Sequence, residues 1–258
     1  MKIAIIGAGN MGSAIAGGFI ASHKATPADI TISNPSEGKL NAINTTTDNT
    51  TAVMGADLVI LAVKPWKVTE VVDAIKPHLD LSHVILASVA AGISTAQLAG
   101  MISDGSPCST PIYYIIPNTA ASVGQSMTFI AGANTTDSSD SIICGLFAGL
   151  GRVMQVEERL IGACMALSSC GLAYAMRYVR ASVEGAVELG LPPHQAQDIV
   201  LQTLLGAVAL LDRDNAHPES EIDKITTPGG LTIRGLNAME QAGFTPAVIA
   251  GLKASVKH

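Results

Sequence analysis

An α/β fold with a mainly parallel sheet, followed by an all-α C-terminal half, is what this sequence predicts, and three observations carry it. Short strands that are apolar throughout alternate with helical patterns as far as Val156. Beyond that point the strand signal stops and the chain is helix-forming. A glycine-rich turn, Gly7-Ala8-Gly9-Asn10-Met11-Gly12, joins the first strand to the first helix. Strands without polar alternation need cover on both faces, which parallel strands joined by helical crossovers provide.

Taken in order, the apolar runs place strands at Lys2–Ile6, Asp29–Ser33, Asp57–Val63, His83–Ser88, Pro111–Ile116, Ser126–Ala131 and Arg152–Val156. Helical patterns lie around Gly12–Ala21, Ser36–Ile43, Lys67–Ile75, Thr95–Ile102 and Ser138–Leu150. Residues 1–156 therefore form one domain and residues 157–258 a second. In the second, Glu157–Leu189 reads as one long helix, Gly190-Leu191-Pro192 breaks it, and another helix runs from Pro193 to about Leu211. The apolar residues Ile199, Val200, Leu201, Leu204, Leu205, Val208, Leu210 and Leu211 cannot share one stripe. A helix apolar around most of its surface must be buried, and a small helical domain has too little interior for it. The helical half is accordingly expected to form a homodimer interface, with a compact monomer as the alternative.

Composition narrows the function. The chain has 258 residues, is 48% hydrophobic and only 3% aromatic, and carries a net charge of −6 without a basic run. Few bases could be stacked and no phosphate backbone attracted, so no nucleic-acid partner is expected. Cys108, Cys144, Cys164 and Cys170 form no CxxC pair and have no histidine at metal-ligand spacing, which argues for free thiols and no metal site. No apolar run reaches the roughly 20 residues of a membrane span. A soluble, cytoplasmic protein with no membrane partner is expected.

The glycine turn carries the first chemistry. It follows the strand Lys2–Ile6 and opens a helix, the context in which such a turn binds a dinucleotide. One glycine makes the tight turn, the next lets backbone approach the pyrophosphate, and the last lets helix pack on strand. These residues predict a Rossmann domain. At the end of the second strand an NAD site places an acid for the ribose 2′-hydroxyl. Here Ser33-Asn34-Pro35-Ser36 is neutral and Lys39 lies one turn on, beside Glu37. NADPH is the expected cofactor, with NADH possible.

The second chemistry lies far downstream, in Thr227-Pro228-Gly229-Gly230-Leu231-Thr232. Pro228 suits a first helical turn, and paired glycines leave backbone N–H groups uncovered at a helix start. The segment is either an ordinary capping turn or an anion cradle with hydroxyls beside it.

With both segments present, the chain resembles the pyrroline-5-carboxylate reductase family over nearly its whole length. The resemblance is carried by Ile5–Gly12, Ala62-Val63-Lys64-Pro65, Ser88–Ile93, Pro117-Asn118-Thr119, Leu189–Pro192, His217-Pro218 and Thr227–Ile233. It implies a Rossmann domain followed by a helical dimerisation domain, often assembled into a ring of dimers. It also implies hydride transfer from NADPH to the C=N carbon of 1-pyrroline-5-carboxylate, yielding L-proline. By the same match, Gly7, Ala8, Gly9, Asn10, Met11, Gly12, Asn34, Ser36, Asn49, Ala62, Val63, Lys64, Pro65, Ala90, Ala91 and Gly92 would line the cofactor. Thr227, Gly229, Gly230 and Leu231 would hold the substrate carboxylate, and the catalytic hydroxyl of Thr232 would bond the ring nitrogen. Lys224 and Glu158 would lie nearby.

One segment departs from the family. Where the family reads Leu-Ser-Gly-Ser-Gly-Pro-Ala-Tyr, this chain has Leu167-Ser168-Ser169-Cys170-Gly171-Leu172-Ala173-Tyr174, and Ala120 replaces a proline after Pro117-Asn118-Thr119. A tolerated repacking, a paralogue for another cyclic imine, and a non-catalytic NADPH-binding dimer all fit that change. A β-hydroxyacid dehydrogenase fits less well. Its chemistry needs an acid–base group, usually a lysine on the long helix, and residues 157–191 contain only arginines, Arg159, Arg177 and Arg180.

Overall fold

A computed structural model of the chain describes residues 1–36, 43–103, 106–214 and 216–256. It divides into two compact units, Met1–Met165 and the remainder from Ala166. The first contains β1 (Ile3–Ile6), α1 (Asn10–Ala21), β2 (Ile30–Ser33), β3 (Asn44–Thr46), α2 (Asn49–Val53), β4 (Leu58–Leu61) and α3 (Val68–Ile75). After these come β5 (Ile85–Ser88), α4 (Thr95–Ser103), β6 (Ile112–Ile116), β7 (Ser126–Ala133), α5 (Asp137–Phe147), β8 (Gly151–Gln155) and α6 (Ile161–Met165). They build one sheet in the order β3-β2-β1-β4-β5-β6-β7-β8. Strands β3 to β6 in that row run parallel; β7 pairs antiparallel with β6, and β8 lies parallel to β7.

The register sorts the side chains into two cores. Ile3 stands between Ile30 and Leu58, and Ile5 between Ile32 and Ile60. With Ile85, Tyr113 and Ile115 these residues form one buried face, covered by Ile15, Phe19, Ile143, Phe147 and Leu150. The alternate residues Ala4, Ile6, Val59, Leu61 and Leu86 form the other, under Val68, Val71, Val72, Ile75 and Leu98. In α1 the buried positions Gly12, Ile15, Ala16 and Phe19 recur at helical spacing. The Phe19 and Phe147 rings meet edge to face, with centroids 5.3 Å apart.

Each of the seven expected strands forms, and β3 and α2 were not anticipated. Their residues, Asn44 to Val53, are mostly threonine and asparagine, and polar contacts hold them in place. β3 pairs in parallel with β2. The Asp48 side chain caps α2 by accepting from the Thr50 N–H at 2.9 Å. Donation to Asp48, first from the Thr51 hydroxyl and then from Thr50, holds its carboxyl at about 2. The expected helix Ser36–Ile43, with Glu37 and Lys39, falls largely outside the described residues.

The second unit is helical. The expected long helix starts as a 3-10 turn (Glu158–Leu160) and α6, passes through a π-helical turn (Ala166–Cys170), and continues as α7 (Gly171–Glu188). The first part packs with the sheet: Ile161 is buried against Tyr114, Ile116, Phe129 and Ala131. Then come α8 (Pro193–Asp214), α9 (Pro218–Ile225), α10 (Leu231–Gln241) and α11 (Phe244–Ala254). The Tyr174 hydroxyl ties α7 to α11, reaching the Gly251 carbonyl at 3.1 Å and the Ser255 hydroxyl at 2.5 Å.

One expectation is corrected here. The run Glu158–Glu188 is long and apolar enough, by length and composition, to cross a membrane. It also carries Arg177 and the Arg180–Glu184 ion pair. On α8, Leu201, Leu205 and Val208, four and three residues apart, are 43%, 64% and 63% exposed. A face of that kind on a single chain calls for a protein partner. Wild type should therefore sediment as a dimer or larger, and Leu205→Glu with Val208→Glu should shift it to monomer. A monomeric wild type would contradict this.

Candidate functional site

The site is built from backbone. β1 ends at Ile6, and its ladder continues one step: the Gly7 N–H donates to the Ser33 carbonyl at 2.7 Å, and the Ala62 N–H to the Ile6 carbonyl at 2.8 Å. Gly7 turns the chain with φ +113°, where side chains are disfavoured. A Cβ there would also lie 2.6 Å from the Ala62 carbonyl oxygen. A Cβ on Gly12 would collide with the Gly7 carbonyl. Gly9 differs, since nothing lies within 4 Å of the position its Cβ would take. The three glycines thus do three jobs: a turn, an opening, and a close helix–strand contact.

Gly9 is also the N-cap of α1, with no side-chain cap and no acid in the first turn. The N–H groups of Asn10, Met11 and Gly12 consequently have no intrahelical acceptor, and the helix dipole adds positive potential there. Above them opens a cleft of about 1500 Å³ at the carboxyl ends of the strands. It lies where the strand order reverses about β1, the place at which open α/β sheets bind dinucleotides.

Of the residues expected to line the cofactor, Gly7, Gly9, Asn10, Met11, Asn34, Ala62, Val63, Lys64, Pro65, Ala90 and Ala91 line this cleft. Ala8, Gly12, Ser36, Asn49 and Gly92 do not, and each has another job. Gly12 makes the close contact just described. The Ala8 N–H donates to Asn34 Oδ1 at 3.3 Å, while Asn34 Nδ2 donates to both the Ser36 carbonyl and Oγ at 2.9 Å. Asn49 Oδ1 accepts from Ser33 Oγ at 2.6 Å, and the Gly92 N–H donates to the Tyr114 hydroxyl at 2.8 Å. Side chains one layer back therefore hold the lining loops.

The cleft also has a wall that the sequence did not signal, made by Ser13, Ala14 and Gly17 of α1 and by Ser122, Val123 and Gly124. The 3-10 turn Thr119–Val123 is capped by Asn118, whose side chain accepts from the Ala120 N–H. No acidic side chain lines the cleft among the described residues. Lys64 lines it with no ion pair among those residues, whereas Lys67 is engaged by Glu70 at 2.7 Å. An uncapped helix start, open space over Gly9 and a cation suit an anionic dinucleotide.

The second unit carries the other expected segment. Thr226 ends α9 by donating its hydroxyl to the carbonyls of Ile222 and Asp223. The chain turns at Gly229 (φ +72°), and the Gly230 N–H donates to the Thr227 carbonyl at 2.9 Å. Gly230 is then the N-cap of α10, without a side-chain cap. Because the turn uses the Gly230 N–H, the unengaged donors are those of Leu231, Thr232 and Ile233. A Cβ on Gly230 would sit 2.5 Å from Thr227 Oγ1, so glycine keeps that hydroxyl beside the helix start. Thr227 and Thr232 are both exposed. Lys224 pairs with Glu221 at 2.5 Å. The Glu158 carboxylate caps the N-terminus of α4 through Thr95.

Comparison with known proteins finds two family models on separate parts of the chain. A family model described as pyrroline-5-carboxylate reductase dimerisation matches residues 158–258, and one described as NADP oxidoreductase, coenzyme F420-dependent, matches residues 2–92. Pyrroline-5-carboxylate reductase 1 of Dictyostelium discoideum is 35% identical over 98% of this chain, a match that spans 48% of that longer protein. Pyrroline-5-carboxylate reductase 3 of Danio rerio is 34% identical over 99% of this chain and 89% of its own. The crystal structure of Plasmodium falciparum pyrroline carboxylate reductase with NADP bound superposes with a TM-score of 0.90 at 26% identity, covering 99% of this chain and 95% of that one. The exposed apolar helices lie within the residues that the dimerisation model matches, and the chain belongs to the pyrroline-5-carboxylate reductase family.

Proposed function

We propose that the protein reduces 1-pyrroline-5-carboxylate to L-proline with NADPH. The observation that carries the reading is the pairing, in one chain, of a backbone-lined dinucleotide cleft with an uncapped helix start flanked by two exposed threonine hydroxyls. In the reaction the imine carbon gains a hydride and the nitrogen a proton, leaving a secondary amine. Bound in the cleft, NADPH would supply that hydride.

The chain's own residues bind and orient. The Leu231 and Thr232 N–H groups receive the substrate carboxylate, and the dipole of α10 favours its charge. The Thr227 hydroxyl adds a further donor to the same anion. The Thr232 hydroxyl hydrogen-bonds the ring nitrogen and steadies it as the charge there changes. A protonated imine already accepts hydride readily, so orientation and exclusion of water account for most of the rate. That demand explains why no histidine–carboxylate pair is needed at the cradle.

NADPH rather than NADH is supported by the neutral end of β2, where Asn34 and Ser36 bond each other in place of an acid. Lys39, the basic residue expected one turn beyond, lies outside the described residues. A second reading, a reductase for a larger cyclic imine, is favoured by the π-helical turn Ala166–Cys170. That turn coincides with the departure from the family at Ser169 and Cys170, and such turns recur at functional sites.

Loss of NADPH absorbance should be fast with the five-membered imine and slow with the six-membered one; the reverse order would select the second reading. Thr232→Ala should lower turnover on the order of 10²-fold while NADPH affinity stays unchanged. Equal loss of both would place Thr232 at the cofactor. Gly9→Ala should weaken NADPH binding by calorimetry by roughly tenfold, the effect of an added methyl in a close backbone approach, with thermal stability unchanged. Gly12→Ala should instead lower the unfolding midpoint. Undiminished NADPH affinity in Gly9→Ala would remove the cleft from the cofactor site.

A further inference from the structure

Behind the cleft, Tyr114 and Glu158 hold one turn of backbone through Gly92 and Thr95. Val89, Ala90 and Ala91 line the cleft at the end of β5. The chain leaves them through Gly92, whose N–H donates to the Tyr114 hydroxyl oxygen at 2.8 Å. Three residues later α4 begins at Thr95. The Thr95 N–H donates to both Glu158 carboxylate oxygens at 3.2 and 3.3 Å, and its hydroxyl donates to Glu158 Oε2 at 2.5 Å. Ser94 and Gln97 box the same helix start: the Ser94 N–H donates to Gln97 Oε1 at 2.8 Å, and the Gln97 N–H to Ser94 Oγ at 3.0 Å.

The box engages the Ser94 and Gln97 N–H groups and leaves the Thr95 N–H to Glu158. Its carboxylate comes from a position 63 residues along the chain. Both anchors are rigid. Tyr114 is buried in the middle of β6 and packs with Ile116, Phe129 and Ala131 under Ile161. Glu158 opens the 3-10 turn that leads into Ile161, so the same small core fixes both anchors. Burial and the neighbouring Glu158 charge push the Tyr114 hydroxyl above its ordinary range, which keeps it protonated.

We infer that Tyr114 and Glu158 are positioning residues that clamp the turn after β5 at Gly92 and at Thr95 and so set the wall of the cleft against the nicotinamide half of the cofactor. The half follows from topology. The pyrophosphate belongs at the β1 turn and the adenosine ribose at the end of β2, so the other nucleotide extends over β4 and β5. A clamp on the turn after β5 acts on that half and leaves the adenosine half alone. The inference rests on the dinucleotide reading of the cleft.

The test compares two ligands on the full-length protein by calorimetry: NADPH and 2′-phospho-ADP-ribose, which lacks the nicotinamide. Tyr114→Phe removes one acceptor and keeps the ring; Glu158→Gln keeps the shape and removes the charge; Thr95→Ser is the conservative control that retains the hydroxyl. In Tyr114→Phe and Glu158→Gln the NADPH dissociation constant should rise about fivefold, as for loss of one hydrogen bond of ordinary net strength, while 2′-phospho-ADP-ribose binds as in wild type. Thr95→Ser should match wild type for both ligands. An unchanged ratio of the two affinities in both variants, whatever their thermal midpoints, would overturn the clamp and assign the set to stability alone. Should Glu158→Gln fail to fold, the ratio in Tyr114→Phe decides. A wild-type protein that binds neither ligand would overturn the dinucleotide reading itself, a result distinct from an unchanged ratio.

Discussion

The contact on which the rest of the site depends is the one among Gly7, Gly12 and Ala62. With no Cβ on either glycine, the first turn of α1 rests on the Gly7 carbonyl, and Gly7 rests on the Ala62 carbonyl at the end of β4. That closeness places the start of α1 over the carboxyl ends of β1 and β4. The first N–H groups of the helix then face the cleft, where their dipoles attract an anion. Any side chain at Gly7 or Gly12 would lift the helix away. The packing of three small residues is thus the cause, and phosphate recognition the consequence.

The supporting parts share one design, in which side chains one layer back hold backbone that lines the cleft. Asn34 links the Ala8 N–H to Ser36, Ser33 links to Asn49, and Asn118 caps the turn carrying Ser122 and Val123. Tyr114 and Glu158 do the same for the turn after β5. Backbone lining suits hydride transfer, which asks for placement more than for acid–base groups. The helical unit follows a different logic. It exposes Leu201, Leu205 and Val208 on α8, within residues 158–258 that the dimerisation model matches. Glu158 to Met165 fall within that matched segment yet pack with the sheet, as Ile161 under Tyr114 shows.

What was legible in the sequence was whatever local pattern determines. The Gly7–Gly12 turn and the apolar strands carry their own signatures, since tight turns need glycine and buried strands need branched aliphatics. β3 and α2 were missed because pairing with β2 and the Asp48 cap hold them, and neither leaves an apolar period. The long helix was read without its π-helical turn, because its hydrophobic period continues across Ala166–Cys170. In the Pro-Gly-Gly segment the turn engages the Gly230 N–H with the Thr227 carbonyl, a bond that residue types alone do not signal. The far wall at Ser122–Gly124 is set by tertiary placement of a short polar loop and has no local signature.

The most direct test of the account is a crystal structure of the protein with NADPH bound. Diphosphate oxygens should lie about 2.7–3.2 Å from the backbone nitrogens of Asn10 and Met11, above the Cα of Gly9. A diphosphate held by side chains elsewhere, with the first turn of α1 untouched, would contradict it.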